Sequence, residues 1–182
     1  MIYLPNLLLI AGNGRNIGKS TFACAVIEKF SKETSVFGIK ATTIYPEEDA
    51  FHNKKKVQLF QPFDIFEETN PESTKDTARM LKAGAERAFY IRSFDENIEQ
   101  AIQEFFEIIP RESVIICESG SLRKVVKPGL FLYLENGNNN LKEKNRKIRD
   151  LADIVVNSEN LKTDISPDDI VLSSEGWGLL KG

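Results

Sequence analysis

The sequence is poor in the residues that build metal centres and disulfide frameworks. It carries two cysteines, one histidine, two methionines and one tryptophan among 182 residues. Cys24 and Cys117 are too few for a disulfide scaffold, and their separation is not a zinc-ligand spacing. Both stand in apolar runs and read as reduced core residues of a cytoplasmic protein. A positive excess is missing as well. Lys and Arg total 24 against 27 Asp and Glu, a net charge of −3. That balance argues against a nucleic-acid partner, because phosphate backbones need a basic surface. There is no long apolar run. The stretch Leu7-Leu8-Leu9-Ile10-Ala11 falls far short of the roughly 18 residues that a spanning helix needs. No basic residue precedes it, so it does not read as a signal peptide, and no membrane association is expected. Internal repeats are absent, and the only low-complexity tract is Asn138-Asn139-Asn140.

What remains is an ordinary globular composition, 41% hydrophobic and 28% charged, which predicts a single domain over 1–182. Short apolar runs at 7–10, 35–39, 88–91, 114–117, 130–134, 153–156 and 170–172 read as strands. Between them, helical spacing marks 20–30, 77–83, 97–106 and 141–151. Uniformly apolar strands alternating with helices predict an α/β three-layer sandwich, with a mostly parallel sheet and helices on both faces. One stretch breaks the rhythm. Residues 41–83 hold no glycine but carry Pro46, Pro62 and Pro71. A connection this long reads as a functional insertion, placed at 41–74. Part of it is expected to run antiparallel, with a hairpin around Gln61-Pro62. Its aromatic residues would suit a partner protein or a homodimer.

The strongest motif is Gly12-Asn13-Gly14-Arg15-Asn16-Ile17-Gly18-Lys19-Ser20-Thr21. It follows a strand and opens a helix, the context of a phosphate-binding loop. Backbone N–H groups of such a loop form a nest for phosphate oxygens. The helix that begins near Lys19 adds the positive end of its dipole. Lys19 supplies a cation to the outer phosphates, and the Ser20 hydroxyl suits Mg²⁺. Glycines at 12, 14 and 18 permit close backbone approach. The standard spacing puts its first glycine at position 13, where Asn13 stands. Asparagine tolerates left-handed backbone angles, which predicts that the loop survives the change. The plain alternative is a chance Gly-Lys-Ser in an ordinary strand-to-helix turn.

Gly12 to Ser20, with Ile17 before the last glycine, resembles the dethiobiotin-synthetase-like and MobB-like branch of the SIMIBI class of P-loop proteins. The stretch Lys75-Asp76-Thr77-Ala78-Arg79-Met80-Leu81-Lys82-Ala83-Gly84-Ala85 narrows this. It is similar to the Lys-Asp-Ser/Thr-x-Arg-x-x-x-Ala-Gly-Ala stretch of the MobB family, the molybdopterin-guanine dinucleotide biosynthesis adaptor proteins. Gly38-Ile39-Lys40 and Glu118 also match at strand ends. Two departures stand out. Ser119 separates Glu118 from Gly120 where the family has Glu-Gly adjacent, and the family's His-rich run is reduced to His52. The resemblance covers roughly residues 6–135. It implies a Mg²⁺-dependent purine-nucleotide site for GTP, slow hydrolysis, and a nucleotidyltransferase partner. The related alternative is an ATP-dependent enzyme of dethiobiotin-synthetase type, phosphorylating a carboxylate or carbamate.

The other candidates divide by role. On the family reading Lys40 lies near the γ-phosphate or metal; in the alternative enzyme it would bind the substrate's carboxylate or carbamate. Otherwise it is a solvated strand-end lysine. Asp76 and Arg79 share a helix face. Asp76 would hold Mg²⁺ or an attacking water, and otherwise is a helix-start acid. Arg79 would contact a phosphate or a partner. Glu118 ends a buried strand and faces the ligand crevice of an open α/β sheet, where it would orient the shell of the metal. Asn157 ends another strand and would contact the purine, although Asn157-Ser158-Glu159-Asn160 lacks the guanine-reading Lys and Asp. It is equally an ordinary turn residue. Catalysis is assigned to Lys19, Asp76 and Glu118; metal binding to Ser20, Asp76 and Glu118. Residues 12–21 with Lys40, Arg79 and Asn157 would bind the nucleotide. No arginine finger is evident, Arg15 being the one exception. Asp49 and His52 would meet on a helical turn and hold a metal, but with one histidine the stretch reads first as an exposed polar segment. Lys54-Lys55-Lys56 reads as a solvated basic run, with attraction of an anionic substrate such as a pterin phosphate as the alternative. Trp177 is expected to pack the C-terminal segment onto the sheet.

Overall fold

The computed structural model describes residues 1–44, 61–137 and 143–180. The expectations for Asp49, His52, Lys54–Lys56 and Asn138–Asn140, and for the first half of a hairpin at Gln61-Pro62, fall outside these residues.

The predicted alternation of strands and helices is present. In chain order the elements are β1 (Ile2–Gly12), α1 (Lys19–Phe30), β2 (Val36–Ile44), β3 (Phe63–Glu67), α2 (Asp76–Lys82), β4 (Arg87–Phe94) and α3 (Ile98–Phe105). Then follow β5 (Val114–Glu118), β6 (Val126–Glu135), α4 (Glu143–Arg149), β7 (Ile154–Asn157), α5 (Leu161–Asp164), β8 (Ile170–Ser173) and β9 (Gly176–Leu179). Seven strands form one sheet in the order β3-β4-β2-β5-β1-β6-β7. Every neighbouring pair is parallel except β3 with β4. The antiparallel excursion predicted within the insertion is therefore β3, an edge strand whose Ile65 lies opposite Ile91. Strands β8 and β9 form a separate antiparallel pair.

The centre of β1 shows why its run is apolar throughout. Leu7, Leu9 and Ala11 face one core with α3 and Ile148 of α4. Leu8 and Ile10 face a second core with α1, Met80 of α2 and Trp177. Both faces of the sheet are covered, an arrangement compatible with a three-layer sandwich. On α1 the buried residues Phe22, Ala23, Val26, Ile27 and Phe30 follow the helical period. Helix α2 stops where the sequence suggests. Gly84 takes φ 103° and its N–H reaches Leu81 O, while the Ala85 N–H reaches Met80 O, a paired C-terminal cap that needs a left-handed residue. Trp177 packs as expected. Its indole N–H donates to Asn6 O at 2.8 Å, and its ring meets Phe30 edge-on at 4.7 Å. No described helix is long and apolar enough to cross a membrane.

One core assignment needs correction. Cys117 is fully buried, but Cys24 is only half-buried: it packs against the second core from α1 and also lies near Arg79 and Asp76. Burial raises the pKa of both thiols.

Candidate functional site

Strand β1 lies between β5 and β6, while its connection through α1 leads past β5 to β2. Crossovers on opposite sides of one strand open a crevice at the carboxyl ends of the strands. The segment 12–21 crosses that edge. Gly12 lies so close to β6 that a Cβ there would stand 2.3 Å from Leu134 O. At Gly14 a Cβ would stand 2.9 Å from Ile17 Cγ2. The left-handed angles fall at Asn16, φ 58°, and Gly18, φ 92°. Asn13 is thus not the left-handed residue that the sequence suggested. Its job is a tether: its N–H donates to Leu134 O at 3.2 Å, and its side-chain oxygen accepts the Asn136 N–H at 3.0 Å.

Gly18 is the N-cap of α1, and neither a side-chain cap nor an acidic residue neutralises the first turn. The positive end of a twelve-residue helix therefore opens onto the crevice. A cavity of about 540 Å³ stands above it. Gly12 and residues 14–21 form its floor; Lys40, Asp76, Arg79 and Glu118 form its walls. Thirteen of the fifteen predicted site residues meet here. The exceptions are Asn13 and Asn157. Asn157 ends β7, and its side-chain oxygen accepts the Glu159 N–H at 3.0 Å, so it caps the turn that follows.

Four side chains from four elements interlock. Ser20 Oγ donates to Glu118 Oε2 at 2.5 Å. Lys40 Nζ donates to Glu118 Oε1 at 2.5 Å and stands 3.1 Å from Asp76 Oδ2. Strand register explains the first ion pair, since Lys40 and Glu118 are direct neighbours on β2 and β5. Lys19 Nζ donates to Gly14 O at 2.5 Å, across the mouth of the loop. Arg79 stands 3.4 Å from Asp76 Oδ1 and donates to Thr21 Oγ1 at 3.0 Å. Glu118 is 4% exposed, and a buried carboxylate requires such partners.

The titration of these groups follows from the contacts. Burial pulls the Lys19 pKa down, opposed by Glu118 and assisted by the Lys40 charge. Burial also acts on Lys40, but its hydrogen bond and ion pairing with Glu118 and Asp76 outweigh it, and the pKa rises. For Asp76, burial is outweighed by Lys40, Ser20 and Arg79, and the carboxyl is held below its ordinary range.

Thr42, Ser119 and Gly120 also line the cavity and were not singled out. A signal existed for Thr42, which lies two residues beyond Lys40 on the same face of β2. Its hydroxyl pairs with Tyr90 Oη at 3.0 Å. Ser119 turns its hydroxyl to the N–H groups of Ser121 and Leu122, holding the chain that leaves β5.

Chemically the site joins uncapped N–H groups and cations to hard oxygen donors. Ser20, Asp76 and Glu118 supply a hydroxyl and two carboxylates, a donor set that fits a Mg²⁺-class cation. Among the described residues no group of three or more His, Cys, Asp and Glu side chains forms a metal cage. A cation held by these oxygens would share its shell with water and with a bound anion. No protein-family model matches this chain, and no curated protein or solved structure is significantly similar to it.

Proposed function

We propose that the chain binds a purine nucleoside triphosphate, GTP, together with Mg²⁺ on the 12–21 loop. It hydrolyses GTP slowly and serves as an adaptor to a nucleotidyltransferase in guanylylation of the molybdenum cofactor. The observation that carries the nucleotide reading is the meeting of Lys19, Ser20, Lys40, Asp76 and Glu118 around one cavity at the N-terminus of α1. The preference for GTP and the adaptor role rest on the resemblance in residues 12–20 and 75–85.

The residues divide the work. Loop N–H groups and the α1 dipole receive phosphate oxygens. Lys19 exchanges its bond to Gly14 O for an outer phosphate oxygen. Ser20, Glu118 and Asp76 are the residues that would hold Mg²⁺. When bound, the metal neutralises charge that develops on the phosphoryl group. Asp76, held ionised by Lys40 in the resting site, would accept a hydrogen bond from the water and orient it. Arg79 is held by Asp76 and Thr21, so it does not reach in as a free finger. Among the described residues no general base is poised over the cavity, which suits slow turnover.

Calorimetric titration with GTP and ATP, each with and without Mg²⁺, tests the reading. Mg²⁺-dependent binding with GTP preferred at least tenfold is the expected result. Preference for ATP would replace the adaptor with a small-molecule phosphotransferase, and binding of neither nucleotide would overturn the phosphate loop.

A further inference from the structure

The Lys40 ammonium lies between Glu118 Oε1 and Asp76 Oδ2, at 2.5 and 3.1 Å. These two carboxylates, with the Ser20 hydroxyl, make up the donor set of the proposed metal site. Lys40 holds one oxygen of each carboxylate, and the other two face Ser20 and Arg79, so a divalent cation finds every oxygen of the pair already partnered. Like charges so close cost several kcal/mol in a partly buried site, so both cations do not share the same oxygens. We propose that Lys40 is a built-in competitor of the metal, which keeps the site closed to divalent cations until a nucleotide enters. The inference rests on the nucleotide reading above and specifies how its metal is admitted.

The charge balance makes metal entry conditional. Lys19 and Lys40 match Asp76 and Glu118 one for one, and Arg79, 3.4 Å from Asp76, and Arg15 of the loop add further positive charge. A bare divalent ion would enter a site already compensated. A polyphosphate brings several negative charges against Lys19 and the helix terminus. It also gives the displaced Lys40 ammonium, on a four-carbon stem, a new set of anionic partners. Metal and nucleotide therefore bind with positive coupling, and by linkage each raises the affinity of the other equally. The same exchange makes Lys40 a reader of the terminal phosphate. A diphosphate supplies less negative charge to receive the released ammonium and pulls the metal in less strongly.

The test uses Mn²⁺ as the metal, followed by the loss of its free electron-paramagnetic-resonance signal. It is titrated into the wild-type chain, Lys40→Met and Lys40→Arg, alone and with GTP or GDP. For the wild type, Mn²⁺ affinity should be low alone and rise at least tenfold with GTP. Lys40→Met should bind Mn²⁺ alone at least tenfold tighter than the wild type, with most of the GTP-dependent gain removed. Lys40→Arg keeps a cation in place and should resemble the wild type. Preference for GTP over GDP should shrink severalfold in Lys40→Met. Equal Mn²⁺ affinity for wild type and Lys40→Met, or no gain with GTP in the wild type, overturns the exchange. If Lys40→Met does not fold, Lys40→Gln and the wild-type coupling decide the question. Failure of the wild type to bind GTP under any condition would instead remove the nucleotide reading itself.

Discussion

The Ser20 hydroxyl donates to Glu118 Oε2 at 2.5 Å, joining the first turn of α1 to the end of β5 across 98 positions of sequence. Glu118→Gln keeps the shape and an acceptor but removes the negative charge. Nucleotide affinity in the presence of Mg²⁺ should fall about tenfold or more, in the range typical for damage to a metal's supporting groups. Affinity measured without metal should change much less. Equal losses with and without Mg²⁺ would remove Glu118 from the metal shell.

Lys19→Ala deletes the cation that spans the mouth of the loop. Binding of the triphosphate should weaken by about a hundredfold, the scale of a charged hydrogen bond lost from a site of this kind. Circular dichroism and the unfolding midpoint should stay close to wild type, since Lys19 contributes no core packing. Unchanged affinity in a folded variant would end the phosphate-loop assignment.

Gly12→Ala pushes a methyl group to 2.3 Å from the Leu134 carbonyl oxygen. Strands β1 and β6 must part to admit it, so stability should drop by about 1–3 kcal/mol in urea unfolding. An unaffected midpoint would mean that the pair relaxes more easily than its register implies.

Asn13→Gly supplies the glycine of the standard loop spacing yet removes the acceptor for the Asn136 N–H. Stability should fall by about 1 kcal/mol, the net worth of one hydrogen bond. Equal or greater stability would show that the tether contributes nothing.

Glu135 joins β6 to α4 through Arg149, with contacts of 2.7 and 3.2 Å. The Arg149 hydrogen bond holds its carboxyl below the ordinary range. A carboxyl lowered in the folded state stabilises above the unfolded pKa of about 4.3 and loses that effect as pH falls through the folded value. Glu135→Gln should cost about 0.2–1 kcal/mol at pH 7 and nothing measurable near pH 2, by chemical unfolding at both values. A cost independent of pH would assign the effect to packing.

Much of the site was legible because its parts are local. The apolar run ending at Ile10, the glycine turn and the helical stripe from Phe22 to Phe30 lie within one continuous stretch. Each follows from a rule of short range. Glu118 was readable because a carboxylate directly after Val114-Ile115-Ile116-Cys117 has only a strand end to occupy. The interlock of Lys40 with Asp76 and Glu118 was not readable. It depends on β2 lying beside β5, and strand order is not encoded in any one strand. Asn13 was misread because its partners, Leu134 and Asn136, stand more than a hundred positions away, and the left-handed angle moved to Asn16. The β8–β9 pair was read only as one short strand. Gly176 and Gly178 weaken the local strand signal, and what recommends the pair is the contact of Trp177 with Phe30.

The strand order also governs when the site comes into being. Lys40, Asp76 and Glu118 reach Ser20 only after β2, α2 and β5 have closed around β1. Contacts so distant in sequence exist only once the long loops between them have closed. Any ligand that touches all of them binds the completed sheet and nothing less. Its whole binding free energy then adds to global stability, about 2.7 kcal/mol at a hundredfold excess over Kd. Occupancy of the cavity would serve as a proofreading signal for the fold, separating finished molecules from those with an open sheet.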